Sequence, residues 1–481
     1  MEAVVGAINN LIWSKALIAL CLGAGLYFTI RTRCMQLRGF GEMIRLMHSG
    51  RESAAGVSAF QALTMSLSGR IGTGNIAGVA TAITFGGPGA VFWMWTVALL
   101  GASTAYVEST LAQIYKEKDE FGRYRGGPAY YIEKAMGQRW YAWIFALSTV
   151  IAAGLLLPGV QANSIASGME QAFGISPALT ATGIAIALAM IIFGGVKRIA
   201  HFAQLVVPFM AAAYIAIALV ILVINIEQLP GIVALIFRSA FGLEAGLGAV
   251  LGLAVEWGVK RGIYSNEAGQ GTGPHHAAAA EVSHPAKQGY VQAFSVYIDT
   301  LLMCSATAFM ILSTGMYNVV DAAGNTLVGG LAGVAAGPGY AQAAVESALP
   351  GWGAAFVALA LLFFAFTTIV AYYYMAETNI SYINRQMHRP WMILALRIGI
   401  IAAVVYGTVR SASLAWSLGD IGVGLMAWLN IIAILILQRP ALLALRDYEA
   451  QRRAGKAPVF DPQALGIRNA DFWQTRREGE E

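Results

Sequence analysis

The chain has 481 residues, of which 57% are hydrophobic and only 12% charged, with 31 Lys+Arg against 26 Asp+Glu for a formal charge of +5. A soluble domain carries about 25% charged residues. The composition therefore excludes a disordered chain, a disulfide-bonded secreted scaffold and most soluble enzymes, and the mean hydropathy of +0.62 points to one polytopic membrane domain.

A helix needs about 20 mostly apolar residues to cross the hydrocarbon. Eleven such stretches occur, near 10–30, 62–84, 88–113, 140–172, 178–195, 201–226, 244–268, 288–317, 351–378, 391–409 and 413–438. The first is long, lacks a good cleavage site and precedes a basic cluster, so it reads as a retained helix rather than a signal peptide. Gly127 to Gly137 reads as a partial or re-entrant segment, and Leu229 to Ala240 as a short interfacial helix. From Arg439 onward the chain is polar and charged and reads as a soluble, partly disordered cytoplasmic tail.

The bases orient these spans. With the N-terminus outside and the C-terminus cytoplasmic, 26 of the 31 fall in inner loops and the tail, Lys260 and Arg261 among them; Lys15, Arg238 and Arg410 lie outside, and Arg70 and Arg397 fall within spans. That bias follows the positive-inside rule. Short loops favour a bacterial inner membrane. The bases sit in clusters between apolar runs and form no stripe for nucleic acid. Cys21, Cys34 and Cys304 have no metal spacing and read as small hydrophobes.

Two spans carry glycine clusters, Ser68 to Gly78 and Gly258 to Gly273. Glycine costs about 1 kcal/mol per position inside a helix, so the clusters predict breaks. In lipid a broken helix is tolerated where it lines a protein cavity, and its freed N–H and C=O groups can hold an anion or a cation. With the first helix set aside, the broken spans are numbers one and six of ten. That order predicts two inverted five-helix repeats, with the site between them. The organisation is then 1–60, an N-terminal helix and basic loop; 61–242, the first repeat; 243–438, the second; and 439–481, the tail.

Residues 72–78 supply N–H groups for a carboxylate, with Thr73 and Asn75 beside them, although Gly74 and Gly78 also form the spacing of close helix packing. Thr367 and Thr368 supply adjacent hydroxyls for a small cation, or bond back to their own helix. Gln161 needs a partner in the membrane, either a helix or a ligand. Arg70, Glu108, Glu256, Asp299 and Glu377 are intramembrane charges. Arg70 adjoins the glycine cluster and needs a carboxylate, with Glu108 and Glu256 as candidates. His275 and His276 read as unremarkable loop residues. The sequence contains no Walker A, HExxH, zinc or G-x-S-x-G pattern.

Gly72 to Ala80, Gly86 to Trp95, Pro158 to Asn163, Arg261 to Gly273 and Phe366-Thr367-Thr368 resemble, across nearly the whole chain, the alanine or glycine:cation symporters, also called sodium:alanine symporters. The resemblance implies an all-α membrane protein of eleven helices with a LeuT-type core. It implies import of alanine or glycine with a cation, usually sodium, by alternating access, with no other cofactor. It implies substrate contacts at Thr73, Gly74, Asn75, Ile76, Gln161, Gly262 in the broken seventh span, Thr367 and Tyr372. Sodium would meet the carbonyls of Ser68, Ile71 and Phe364 and the hydroxyls of Thr367 and Thr368. Two positions depart from the family pattern. Ala371-Tyr372 stands where Gly-Trp is frequent, which bears on pocket size, and Arg70 is a fixed cation beside the ion site. Arg70 motivates an alternative, a proton-coupled or sodium-independent transporter of the same fold. A channel or a membrane enzyme fits the pattern less well. The partners are the amino acid, sodium and membrane lipid, with no nucleic acid.

Overall fold

The computed structural model describes residues 2–47, 55–243 and 251–478. The chain runs through α1 (Glu2–Arg31), an interrupted pair α2 (Ala59–Arg70) and α3 (Val79–Gly86), then α4 (Gly89–Ile114), α5 (Arg139–Phe173), α6 (Pro177–Ile192), α7 (Gly195–Ile224) and α8 (Leu229–Ala240). A second interrupted pair follows, α9 (Leu251–Asn266) and α10 (Gly273–Ala279), then α11 (Pro285–Thr314), α12 (Gly353–Met387), α13 (Trp391–Thr408) and α14 (Ala412–Arg453). Among the described residues, eight helices are long and apolar enough to cross a membrane: α1, α4, α5, α7, α11, α12, α13 and α14. The shorter α6 is apolar as well. The only sheets in the described residues are two-stranded ribbons at Glu117–Lys118 with Tyr124–Arg125 and at Asn318–Val320 with Thr326–Gly329. The protein is thus an all-α membrane protein.

Local chemistry sets the helix ends. Ser58 and Gln61 form a reciprocal capping box at the start of α2 (3.1 and 2.9 Å). Proline opens α6, α8, α10 and α11, where its missing N–H costs nothing. Each interrupted pair is followed by two long helices, a shorter one and another long one. α4 packs along α9, α10 and α11, while α5 packs along α12 and α13. α2 touches both groups, meeting α10 and α11 as well as α7 and α12. Large apolar side chains such as Phe209, Val223, Ile398 and Ile436 are exposed on the outer faces of the bundle. On a soluble protein such a belt would be a liability, whereas here lipid is the solvent.

Among the described residues, three turns of π-helix interrupt the bundle, at Gly74–Gly78, Ala152–Leu156 and Tyr297–Cys304. Such turns widen the helix by one residue and recur at functional sites. The second directly precedes Leu157-Pro158, where proline cannot donate to the ladder. The expected spans fall on the observed helices, but α1 starts well before residue 10, and α12 and α14 run on to Met387 and Arg453, well beyond the expected ends at 378 and 438; 244–250 and Arg51 lie outside the described residues.

Two expectations fail. Lys260 and Arg261 are not in an inner loop. They lie inside α9, buried, and both pair with Asp420 of α14, at 2.9 Å each. One buried carboxylate bridges both cations and offsets one of their two charges, and the rings of Trp257 and Trp416 lie against them. The tail is also ordered. α14 continues to Arg453, Phe460 donates its N–H to the Ser283 carbonyl (3.1 Å), and buried Trp473 donates to the Gln113 carbonyl (2.9 Å). Its aromatic residues pay for its ordering by burial: Phe460 and Trp473 meet edge to face at 5.2 Å, and Lys116 sits over the rings of Tyr124 and Phe472.

Candidate ion and substrate site

The break between α2 and α3 falls at Ile71-Gly72, and the π-turn follows it directly. Every residue from Ser68 to Gly78 is buried. The carbonyls freed by the break point at α12. The Thr368 hydroxyl lies 2.9 Å from the Ser68 carbonyl, 3.3 Å from the Ile71 carbonyl and 2.9 Å from the Phe364 carbonyl of its own helix. One hydroxyl proton serves one of these acceptors at a time. Four oxygens from two helices therefore converge on a buried spot with a surplus of lone pairs, which is the chemistry of a small hard cation. Thr367 behaves differently. Its hydroxyl bonds back to the Phe364 carbonyl at 2.9 Å, the local alternative open to any helical threonine.

The freed N–H groups lie on the other side of Gly72. The Gly72 N–H donates to Asn75 Oδ1 (2.8 Å), and the Thr73 N–H donates to Gln161 Oε1 of α5 (3.0 Å). Two side-chain amide oxygens thus occupy the positions in which a carboxylate would be received. The Thr73 hydroxyl is buried and has no hydrogen-bond partner. A Cβ on Gly72 would collide with Thr368 Oγ1 and Gln161 Oε1 together, so this glycine separates the oxygen cluster from the amide pair. A Cβ on Gly74 would press on Ser265 of α9 at 3.1–3.3 Å. Ile76 is fully buried, and Tyr372 on α12 is buried with its hydroxyl beside Gln161.

Asn75 is oriented by a residue that the sequence reading left among the generic charges. Asp299, in the π-turn of α11, accepts from Asn75 Nδ2 (2.7 Å), Ser265 Oγ (3.1 Å) and Thr300 Oγ1 (2.7 Å). Holding the amide nitrogen turns Asn75 Oδ1 toward Gly72. Asn75 and Asp299 are 224 residues apart, so no spacing rule pairs them.

The second break, between α9 and α10, is held by Glu108 of α4. Its two oxygens accept from the N–H groups of Gly269 (3.2 Å) and Gly271 (3.1 Å), and Asn430 Nδ2 adds a third bond (2.7 Å). Gly269 and Gly271 have φ of +85° and +84°, the left-handed region open to glycine. The anion expected at such freed N–H groups is here a side chain of the protein. Thr272 Oγ1 also donates to Glu267 Oε2 (2.9 Å).

Arg70 therefore does not pair as expected. Neither Glu108 nor Glu256 forms an ion pair with it. Arg70 donates Nη1 to the Gln292 carbonyl (3.2 Å) and to Ser295 Oγ, and its Nε and Nη2 are buried without a partner. The carboxylates whose charge reaches it are Glu267, Glu108 and Asp299. Glu256 is half-buried on α9, one turn before Lys260. Gly262 also departs from its expected role, because the space its Cβ would fill belongs to Val97 and Met94 of α4, and it serves helix packing there. His275 lies on α10 rather than in a loop, and its Nε2 meets Asn379 Nδ2 at 2.8 Å.

Beside the α3 break, Arg261 makes a two-pronged contact with Asp420 (2.9 and 3.1 Å) and lies over the Trp416 ring at 4.3 Å. A Cβ on Gly78 would touch Trp416 and Arg261 at 3.8 and 3.9 Å, so this layer covers the last turn of the glycine segment.

A family profile described as "Sodium:alanine symporter family" matches residues 1–462. The chain is 62% identical over 474 residues, 98% of both chains, to YrbD of Bacillus subtilis (strain 168), whose name gives it provisionally as a sodium/proton-dependent alanine carrier protein. It is 54% identical over 435 residues, 90% of this chain and 97% of the relative, to the sodium/proton-dependent alanine carrier protein of Bacillus sp. (strain PS3). It is 36% identical over 445 residues, 90% of this chain and 94% of the relative, to the sodium/alanine symporter AgcS of Methanococcus maripaludis.

Proposed function

The chain belongs to the sodium:alanine symporter family, and from that premise we propose that it imports alanine or glycine together with sodium, by alternating access, across a bacterial inner membrane. The observation that carries this reading is the oxygen cluster on Thr368, where carbonyls of Ser68, Ile71 and Phe364 surround one hydroxyl. Sodium takes that place and joins the α2 break to α12. Thr367 lines the site from the next position. The amino acid lies on the other side of Gly72. Its carboxylate displaces the Asn75 and Gln161 oxygens from the Gly72 and Thr73 N–H groups, and it gains the free Thr73 hydroxyl. Gly74, Ile76 and Tyr372 limit the side chain to a methyl or a hydrogen.

The helix order supports eleven spans in which α2–α7 and α9–α14 are inverted five-helix repeats of LeuT type, with 61–242 and 243–438 as their bounds. α1 and its basic loop precede them, and 439–481 forms the cytoplasmic domain. With Lys260 and Arg261 moved into a span, 24 bases remain on the inner side against three outside, which keeps the N-terminus out and the C-terminus in. Coupling follows from differential affinity: sodium binds the state in which the α2 break faces α12, and that state presents the N–H groups to substrate.

A second reading has its own observation. Arg70 is a buried cation with two unpartnered nitrogens and three carboxylates around it, so a proton on that cluster can serve as the coupling ion. Uptake of labelled alanine and glycine into proteoliposomes separates the two. An inward sodium gradient drives accumulation if sodium is the coupling ion. Accumulation driven equally by a proton gradient without sodium overturns the sodium assignment and selects the Arg70 cluster.

A further inference from the structure

A cavity of about 190 Å³ opens where α1 and α14 emerge from the bundle. Its polar lining is made by five arginines, Arg31, Arg33, Arg38, Arg446 and Arg453, with one carboxylate, Glu449. Glu449 is already engaged. It holds Arg38 at 2.6 Å and Arg453 at 3.4 Å, and accepts from the Tyr290 hydroxyl at 3.2 Å. Arg38 is fixed further by the carbonyls of Arg33 (2.9 Å) and Thr32 (3.0 Å). Arg31, Arg33 and Arg446, by contrast, make no ion pair and donate no side-chain hydrogen bond among the described residues. Four positive charges thus remain in excess around one cavity. Like charges this close repel one another, and the ion pairs of Glu449 offset only part of that.

The level of the cavity relative to lipid follows from its neighbours. Ile30, 66% exposed, is the last apolar residue of α1 before Arg31. The Tyr27 hydroxyl donates to Gln438 Oε1 at 2.9 Å, which sets the register of α1 against α14. Arg31 and the cavity residue Leu442 each lie one turn beyond that bond, about 6 Å along the helix axis. The interfacial layer on each side of the hydrocarbon is about 5–8 Å thick. The arginines therefore begin at the headgroup level, with Leu442 and Leu445 forming the apolar side of the same cavity. On α14, Arg439, Arg446 and Arg453 repeat every seven residues and all are exposed, so they form one stripe leading out of the bilayer.

We propose that this cavity is a binding site for the phosphate of an anionic phospholipid. Arg31, Arg33 and Arg446 grip the phosphate oxygens, and the acyl chains leave along the exposed Leu26 and Ile30 of α1. Arginine suits the task because its planar donors engage phosphate in pairs. A soluble phosphate would satisfy the charges but would make no use of the exposed Leu26 and Ile30 that lead up to Arg31 on α1.

The full-length protein, delipidated in a neutral detergent, tests this by native mass spectrometry with three probes: phosphatidylglycerol, phosphatidylcholine and inorganic phosphate. The wild type should retain phosphatidylglycerol at least about tenfold more tightly than phosphatidylcholine. An Arg31→Gln/Arg446→Gln variant should lose that preference, and Lys15→Gln at the opposite end of α1 should keep it. Equal retention of the two lipids by the wild type overturns the proposal and needs no variant. An unchanged preference in the double variant overturns it as well. Displacement of the lipid by millimolar inorganic phosphate overturns the lipid assignment in favour of a soluble anion.

Discussion

Replacing Thr368 by valine removes one oxygen and keeps the shape. In the structure that oxygen stands 2.9–3.3 Å from three carbonyls belonging to two helices. With sodium in place, the hydroxyl contributes a charge-assisted contact, worth about 1.5–3 kcal/mol. At about 1.4 kcal/mol per decade, the sodium concentration for half-maximal alanine uptake should rise by about tenfold to a hundredfold. Substrate affinity at saturating sodium should change little, because Thr368 makes no contact with the Thr73 N–H or with Asn75. Thr368→Ser restores the oxygen and should restore most of the sodium affinity. The assay is uptake of labelled alanine by proteoliposomes over a range of external sodium, with monodispersity in detergent as the folding control. A folded Thr368→Val protein with unchanged sodium dependence would refute the placement of the ion. If serine fails to rescue, the hydroxyl oxygen is not what the ion needs.

Two further outcomes follow from the buried charges and from the start of α11. Asp420→Asn leaves Lys260 and Arg261 buried without their counter-charge, which costs about 3–5 kcal/mol in a buried pair; thermal unfolding in detergent should shift down clearly, Asp420→Glu should recover part of it, and an unchanged transition would contradict the pairing. His284 caps α11 through Nδ1, donates to Asp447 at 3.1 Å and lies against Tyr448, Phe460 and Lys287, and burial holds its ring below the usual imidazole range. The unfolded chain therefore takes up the proton more readily, so the stability from this residue is complete above about pH 6.5 and is lost as the pH falls below it. Thermal unfolding between pH 8 and 5 should show that loss in the wild type and a flatter profile in His284→Asn, which keeps a capping oxygen and does not titrate; parallel profiles would rule the residue out.

What the sequence made legible was what local chemistry decides. Leu229–Ala240 is a helix with the bounds read from its apolar run, because Pro230 and the flanking polar residues punctuate it. Both helix breaks were visible because so many glycines in a short run weaken a helix beyond what close packing alone requires. The oxygen cluster was legible only through resemblance; by pattern alone Thr367 and Thr368 are equivalent, and the structure separates them, one bonded back to its own helix and one facing Ser68 and Ile71. What stayed hidden was decided by distant partners. A Lys-Arg pair reads as a loop until Asp420, 159 residues beyond Arg261, is known to pair with both cations. Asp299 reads as a generic membrane charge until Asn75 is placed beside it. The tail did carry a signal, since Phe460, Phe472 and Trp473 have no reason to sit in a disordered polar segment, but charge dominated its composition.

The positions of Gly72 and Gln161 bear on how two cargoes become coupled. Gly72 lies between the oxygen cluster and the amide pair, and a Cβ there would strike Thr368 Oγ1 and Gln161 Oε1 at once. The backbone from Ile71 to Thr73 therefore presents a carbonyl to α12 and N–H groups to Asn75 and Gln161 within three residues. A cation that draws the Ile71 carbonyl toward α12 must rotate the peptide plane that also carries the Gly72 N–H, and the Thr73 N–H stands on the next plane along. In the proposed cycle the ion thereby sets the donor geometry that the substrate carboxylate meets, with no contact between ion and substrate required. Asp299 stiffens the far side of that lever by fixing Asn75, and Glu108 does the same for the second break by occupying its N–H groups with its own side-chain oxygens. In the proposed cycle the first break exchanges its side-chain oxygens for a substrate carboxylate while Glu108 holds the second, so the first is the joint that adjusts.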